Sequence, residues 1–396
     1  MNAVSTSVSL SRRGAERWRR GHPWIFRSDL LLDGEPPDGA IVGVREERRG
    51  PAGAGGGFAG QAFWSANSKI ALRFITRSGE PIDEPFWRLR LTRAIAYRDL
   101  VIHDTDAYRL VAADADGIPG LIVDRYGPHL VLQTLAPGPD RMREVFAQLL
   151  EELLRPESIL ARNDVGVRTL EGLPRQVEQV RGETPALVEA REGSVCYLAD
   201  LRGGQKTGAF LDQRENRMEA ARYCRGRVLD LFCYHASFAL HAAKVCDSVT
   251  AVDSSAAALE RGRSNARLNG LQRIEFVEAN AFDFLRSCDR EGRTFQAVFL
   301  DPPAFAKSRA DVPAARRAYK EINLRAMKVL EPEGFLITSS CSYNFPEAAF
   351  LETLQDAAAD LRRRVRIVER RGASRDHPVR LGLPESQYLK CFILQV

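Results

Sequence analysis

At 396 residues, 44% of them hydrophobic, the chain exceeds one ordinary domain and carries enough apolar side chains for two or three cores. A net charge of +5 does not by itself mark a nucleic-acid binder, and no run of about 18 apolar residues or secretory leader pattern is seen, so a cytoplasmic protein with no membrane partner is expected. The seven cysteines form no C-x-x-C pair and no zinc spacing with histidine, so reduced thiols and no metal are expected.

The first elements are basic. Arg12, Arg13, Arg17, Arg19, Arg20 and Arg27 are interleaved with Trp18, His22, Trp24 and Phe26. Guanidinium groups neutralise phosphates and aromatic faces stack on unpaired bases, so one reading is an RNA-contacting surface. The other is a solvated helix that sends its aromatic residues into a small core, and this segment alone does not choose between them. Strand-like runs between Ile41 and Thr76, broken by the glycine-rich stretch 50–57, predict a small β-rich module over 1–78 with a flexible hairpin loop.

Helical spacing over 86–102 opens a central α+β domain, 79–195. In it Leu121-Ile122-Val123-Asp124 and Leu130-Val131-Leu132-Gln133 predict two strands joined by a turn, and 141–154 an amphipathic helix. No catalytic constellation is visible there. From 196 to 396 the rhythm changes: strands are expected over 228–232, 248–252, 274–277, 297–300 and 335–338, with helices over 235–245 and 256–268, the second stopped by Asn269-Gly270. Alternating units of this kind specify an α/β, Rossmann-like doubly wound sheet with ligands at the carboxyl ends of its strands.

Three polar residues fall at successive strand ends. Asp253 follows Asp230 at about the 20-residue interval that sets an acidic side chain against ribose hydroxyls. The loop Cys233-Tyr234-His235-Ala236-Ser237 contains no glycine, which disfavours the close backbone approach that a pyrophosphate needs. A nucleoside cofactor without phosphates, S-adenosylmethionine, fits better, and the Asn280 amide can both donate to and accept from an adenine edge. Each residue alone reads as a turn or helix cap; three together favour a nucleoside site.

Asp301, in Asp301-Pro302-Pro303-Ala304-Phe305, and Cys341 follow the fourth and fifth strands, neighbours in the doubly wound order. Cytosine C5 is too electron-poor to take a methyl group directly, so a thiolate must first add to C6, and cysteine is suited to that step. Asp301 could then hold N3 and the exocyclic amine as charge builds on the ring. Pro302 and Pro303 stiffen the loop, and Phe305 offers a face for stacking. The plain alternative for Cys341 is a small buried hydrophobe.

These residues carry a resemblance. Gly203-Gly204-Gln205-Lys206-Thr207-Gly208, Leu211-Asp212-Gln213-Arg214-Glu215-Asn216-Arg217, Leu229-Asp230-Leu231-Phe232-Cys233-Tyr234, the Asp301 loop and Ser339-Ser340-Cys341-Ser342 resemble the class I methyltransferases that form 5-methylcytosine in bacterial large-subunit (23S) ribosomal RNA. That family begins with a PUA domain, an RNA-binding β-barrel, whose opening Arg20-Gly21-His22-Pro23-Trp24-Ile25-Phe26 resembles, and Tyr388-Leu389-Lys390-Cys391 is similar to the family's end. The resemblance implies S-adenosylmethionine as cofactor and ribosomal RNA as partner, with Cys341 as nucleophile and Asp301 orienting the base. It implies a cofactor pocket of Asp230, Phe232, Tyr234, Asp253, Ser254, Asn280, Ala281, Asp301 and Gln213, with Pro302, Phe305, Lys307 and Arg214 on the substrate side.

Two departures stand out. Ala236-Ser237 replaces the family's usual glycine pair or Gly-Ala, from which crowding of the methionine end of the pocket is expected. Pro303 stands where many RNA cytosine methyltransferases carry a second cysteine, which leaves the group that removes the C5 proton open. Methylation of a base nitrogen and a catalytically inactive RNA-binding protein remain as alternative functions, and monomer and homodimer are both open.

Overall fold

The computed structural model describes residues 7–32, 34–47 and 57–396, so most of the glycine-rich stretch 50–57 lies outside the described residues. The chain forms two compact units. The first comprises Met1–Val188, Ala199–Ala209 and Asp376–Ser386; the second comprises Glu189–Leu198, Phe210–Arg375 and Gln387–Val396.

In the first unit, six short strands form one sheet in the order Trp24–Phe26, Ile70–Thr76, Phe58–Trp64, Ile41–Glu46, Ser7–Leu10, Leu30–Leu31. The two edge strands are close in the chain, joined through the 3-10 turn Arg27–Asp29, so the sheet curls almost into a barrel and little edge stays open. Alternation along these strands sends Val8, Leu10, Val42, Val44, Leu72 and Phe74 into one core. Helix Arg12–Arg19 is started by Ser11, whose hydroxyl accepts from Gly14 N.

That helix decides between the two readings of the basic segment at Trp18. The indole is buried, its ring centroid 3.6 Å from that of Phe74, and its Nε1–H donates to Ala59 O at 3.0 Å. Arg77 covers the other face at 4.0 Å. Trp18 is therefore a core residue with no free face for a base. The surrounding charges are largely spent within the unit: Arg13 and Arg17 hold the buried Asp29, and Arg19 pairs with Glu46.

A second sheet in the same unit runs Val177–Gly182, Ser158–Arg162, His129–Thr134, Leu121–Tyr126, Ala107–Ala112. Helices Glu84–Val101 and Arg143–Leu154 bring Trp87, Leu91, Phe146 and Leu150 to its core. Asp83 caps the first of these helices by accepting from Phe86 N at 3.1 Å, and Pro85 sits in its first turn, where the missing N–H costs nothing. Both expected helices and both expected strands are present, with slightly shifted ends.

The second unit is built on a seven-stranded sheet: β1 (Arg227–Leu231), β2 (Ser248–Asp253), β3 (Ile274–Glu278), β4 (Phe295–Leu300), β5 (Leu330–Ser340), β6 (Arg366–Arg371) and β7 (Lys390–Gln395). Their order is β3-β2-β1-β4-β5-β7-β6. Strands β1 to β5 are parallel, and β7 runs antiparallel to both neighbours. Six helices accompany it: α1 (Arg214–Ala221), α2 (Ser237–Ala242), α3 (Ala256–Leu268), α4 (Ala281–Glu291), α5 (Val312–Lys328) and α6 (Glu347–Asp360).

The chain leaves β1 toward β3 and then crosses back to β4, so the sheet reverses direction between β1 and β4, where a doubly wound fold opens a ligand crevice. Strand β4 is buried along its whole length, as a central parallel strand with helices on both faces must be. Successive side chains alternate between faces. Leu231, Val298, Leu300 and Leu336 enter one core, and Val228, Phe299 and Ile337 the other. Helix α3 matches its expected span and ends at Asn269, with Gly270 in the left-handed region at φ 64°. Among the described residues no helix is long and apolar enough to cross a membrane.

Candidate active site

The loop after β1 is strained. Phe232, Tyr234 and Ala236 have φ of 61°, 51° and 69°, a left-handed geometry that costs a non-glycine residue roughly 1–2 kcal/mol each. This delays α2 to Ser237, so the expected helix 235–245 is shorter at both ends. Surrounding bonds hold the loop: Tyr234 N donates to Asp253 Oδ2 at 2.9 Å, Cys233 N to Val252 O at 3.1 Å, and Asn265 Nδ2 to His235 O at 3.0 Å. Ala236 is fully buried, and its methyl lies toward Gly262 of α3, where a Cβ would come within 3.3 Å of it. Ser237 Oγ is bonded to His235 Nδ1 at 3.1 Å.

Asp230 lies inside β1, one residue before its end, and is buried; its Oδ2 accepts from Ala239 N at 3.0 Å in the first turn of α2. Burial pushes its carboxyl well above the usual carboxylate range, and the charges of Asp301 and Asp253 add to that against the Ala239 hydrogen bond. Asp253, ending β2, also accepts from Ser255 N at 2.9 Å. Asn280 caps α4 by accepting from Phe282 N and Asp283 N. Thus each of the three serves a turn or cap, and the two aspartates also share a crevice with Asp301.

Three carboxylates gathered at the ends of β1, β2 and β4 repel one another. A ligand that brings positive charge and hydroxyl donors relieves that repulsion, and S-adenosylmethionine, with its cationic sulfur and ribose hydroxyls, fits the site on those grounds.

Asp301 follows β4 directly. Its Oδ1 accepts from the buried Gln213 Nε2 at 2.8 Å, Gln213 Oε1 accepts from Asn216 Nδ2 at 2.6 Å, and Asn216 Oδ1 accepts from Arg371 Nε at 2.9 Å. This chain of bonds fixes which face of the Gln213 amide meets Asp301. Leu300 pairs with Thr338 across β4 and β5, so Asp301 continues the register opposite Ser339, two residues before Cys341.

Cys341 is half-buried and sits between two anchored serines. The Tyr319 hydroxyl of α5 accepts from Ser340 Oγ at 2.9 Å and is bonded to Ser342 Oγ at 3.0 Å. From β7, the buried Lys390, opposite Ser340, donates through Nζ to Ser342 O at 2.6 Å and Tyr388 O at 2.8 Å. Burial pulls the Lys390 pKa down to about 8, against the opposing charges of a Cys341 thiolate and Glu347.

The remaining sequence candidates are dispersed around this end of the sheet. Pro302 and Ala281 are buried, Phe232 and Tyr234 half-buried, Ser254 and Lys307 exposed. The Phe305 ring centroid lies 4.8 Å from that of Tyr319. Arg214 is buried in α1 and donates Nη2–H to Glu215 Oε1 at 3.1 Å. Two site residues were missed from the sequence as members of the constellation, Tyr319 and Lys390. Lys390 leaves one signal, a lone charge within the apolar run Leu389-Lys390-Cys391-Phe392-Ile393-Leu394; Tyr319 reads only as one more member of the buried face of α5, with Ala315, Ile322 and Ala326.

Comparison with known proteins shows the family and the fold. Residues 174–379 match a family described as S-adenosylmethionine-dependent methyltransferase, and residues 8–77 a PUA-like domain. The ribosomal RNA large subunit methyltransferase I of Shewanella amazonensis is 39% identical over 402 residues, covering 99% of this chain and all of the relative; that of Tolumonas auensis is 38% identical over 403 residues at the same coverage. In fold, the chain is similar to the crystal structure of SMU.776, a methyltransferase complexed with SAH, at a TM-score of 0.84 and 20% identity over 98% of this chain and 100% of that one. A second such structure, from Streptococcus mutans, gives 0.82 at 20% identity and the same coverage. The chain belongs to the PUA-domain-containing, S-adenosylmethionine-dependent ribosomal RNA methyltransferases.

Proposed function

We propose that the chain methylates C5 of a cytosine in large-subunit ribosomal RNA through a covalent bond between Cys341 and C6 of the ring. The observation that carries this reading is a half-buried cysteine just after β5, in a turn that Tyr319 and Lys390 hold through Ser342, beside the strand that Asp301 follows. In this reading Asp230, Phe232, Tyr234, Asp253, Ser254, Asn280, Ala281 and Gln213 line the cofactor pocket, and Pro302, Phe305, Lys307 and Arg214 face the substrate. Three domains over 1–78, 79–195 and 196–396 are supported by the PUA-like match over 8–77 and by two cores in the first unit, the second of which also takes in Phe63 and Ile75 of the first sheet.

When bound, S-adenosylmethionine supplies an electrophilic methyl group on a cationic sulfur. The Cys341 thiolate adds to C6, and the electron pair displaced from the C5–C6 bond makes C5 nucleophilic. Asp301, oriented by Gln213 and in the protonated form that this step requires, donates to N3 and accepts from the exocyclic amine while this charge develops. Loss of the C5 proton after methylation restores the double bond and expels the thiolate. The Lys390 ammonium favours the thiolate both before addition and on release.

Asp301→Ala is expected to lower kcat about 100- to 1,000-fold, and Asp301→Asn, which keeps an acceptor for Gln213 and a donor for N3, to lose less. Steady-state methyl transfer to ribosomal RNA checks the pair. Lys390→Met should slow transfer most below pH 8, where the native lysine is charged. Above that pH the native side chain is itself neutral, so the gap to the variant should narrow; a pH–rate profile reads this, and a gap independent of pH would assign Lys390 a packing role only.

Methylation of a ring or exocyclic nitrogen would use the same Asp301 loop and leave the held thiol without a task. Mass spectrometry of nucleosides from ribosomal RNA treated with the protein separates the two. Methyl label in 5-methylcytidine is expected, and label only in an N-methylated nucleoside would refute the C5 assignment.

A further inference from the structure

The first unit contains a cavity of about 340 Å³ lined by Trp18, Phe74, Arg77, Arg90, Asp114 and Arg380 among others. Three guanidinium groups meet there. Arg77 donates Nη2–H to Trp18 O at 3.0 Å, Arg380 donates Nη1–H to Asp114 O at 2.8 Å, and Arg90 donates to Gly117 O. Among the described residues none of the three forms an ion pair with a carboxylate, so each uses part of its donor fork on a backbone carbonyl and keeps the rest.

The cavity's own acid balances them only in part. Asp114 is buried, its Oδ1 accepts from Trp24 Nε1 at 3.0 Å, and burial pushes its carboxyl upward toward the neutral form. Burial also lowers the pKa of Arg90 and of Arg380; Glu80 counters this at Arg90 and Asp114 at Arg380, while Arg93 and Arg380 act against Arg90 and Arg77 against Arg380. Clustered, partly desolvated guanidiniums with unspent donors are the arrangement that an oxyanion stabilises, since it offers charge and several acceptors at once. Arg77 is exposed whereas Arg90 and Arg380 are half-buried, so the cavity is open to solvent on the Arg77 side and admits a phosphate still joined to its chain.

We infer that this cavity, built wholly within the first unit, binds a backbone phosphate of the RNA substrate. The inference rests on the ribosomal RNA substrate of the family and is independent of the cytosine-C5 chemistry. Arg77, Arg90 and Arg380 form the anion's cradle, with Trp18 and Phe74 as its rigid wall.

The test is equilibrium binding of a fluorescent large-subunit ribosomal RNA fragment to the full chain, followed by anisotropy between about 50 and 200 mM salt. The double variant Arg90→Gln, Arg380→Gln is expected to bind about 10-fold more weakly and to show a slope of log K against log salt smaller in magnitude by about one, with a melting temperature equal to or above that of the native chain because a repulsion has been removed. Arg77→Gln, at the exposed mouth, should shift both quantities in the same direction and serves if the double variant does not fold. Unchanged affinity and slope in these variants would overturn the assignment. So would a rise in melting temperature on adding inorganic phosphate that the double variant abolishes while RNA binding stays native, because the site would then take the free anion. Methyl transfer plays no part in either readout, so failure of the C5 mechanism leaves this test intact.

Discussion

Replacing Cys341 with alanine is expected to reduce methyl transfer roughly 10,000-fold or more, with little change in RNA affinity or in thermal stability. The size of the effect follows from the reaction: without addition at C6, cytosine C5 has no electron pair to offer, and no other half-buried thiol closes a strand at this end of the sheet among the described residues. Cys233 and Cys391 are buried, and burial pushes their thiols up, Cys391 to about 12, so neither supplies a thiolate near neutral pH. Loss of one sulfur from a partly exposed turn removes little packing, and Tyr319 and Lys390 hold that turn through Ser340 and Ser342 rather than through the thiol. Single-turnover transfer of labelled methyl to RNA, measured beside anisotropy and melting curves, distinguishes lost chemistry from lost binding or folding. Cys341→Ser should be almost as inactive, because its hydroxyl lacks the thiol's accessible anion.

Removal of Glu192 is expected to have the largest effect on stability. Glu192 accepts from Arg217 Nε at 2.7 Å and Nη2 at 2.5 Å and is bonded to His241 Nε2 at 2.9 Å, all three side chains being buried. The triad ties the strand Val188–Glu192 to α1 and α2, directly behind the strained loop that follows β1. Burial alone would push the Glu192 carboxyl up; the charge and hydrogen bonds of Arg217, helped by His241, hold it well below the usual carboxylate range. Glu192→Gln leaves a buried guanidinium without its counter-charge, a loss of about 3–5 kcal/mol and roughly 10 °C in Tm. Because the folded pKa is depressed, this contribution is present above the unfolded value near 4.5 and is lost as pH falls below it. Native Tm should therefore drop more steeply than that of the variant on acidification past about pH 4.5. The double change Glu192→Leu, Arg217→Met should recover much of the loss, since it removes both charges together; calorimetry of the three proteins reads all of this.

What the sequence made legible was local or periodic. The apolar run Ala297 to Leu300 reads as a buried strand, Asn269-Gly270 marks the end of α3, and Asp301 and Cys341 stand out by their position just after such strands. Their proximity then follows from strand order alone, through the pairing of Leu300 with Thr338. The rest depends on contacts between distant segments. Trp18 looked as fit for a base as for a core, and only Phe74 and Arg77, brought over it by another strand, decide the matter. Tyr319 and Lys390 reach Cys341 from a helix and from the last strand, and no spacing in the chain encodes their meeting at Ser342. The left-handed run at Phe232, Tyr234 and Ala236 was hidden because no glycine announces it; the fold imposes it through bonds from Asp253 and Asn265.

The covalent step at Cys341 is tested most directly by trapping it. With RNA carrying 5-fluorocytosine, methylation proceeds but the fluorine at C5 cannot leave as a proton, so the thiolate is not expelled. Incubation of the native chain with such RNA and S-adenosylmethionine should give a protein–RNA complex that survives denaturing electrophoresis, absent with Cys341→Ala and mapped by peptide mass spectrometry to Cys341. Full methylation of the same RNA with no such complex would contradict the thiolate mechanism.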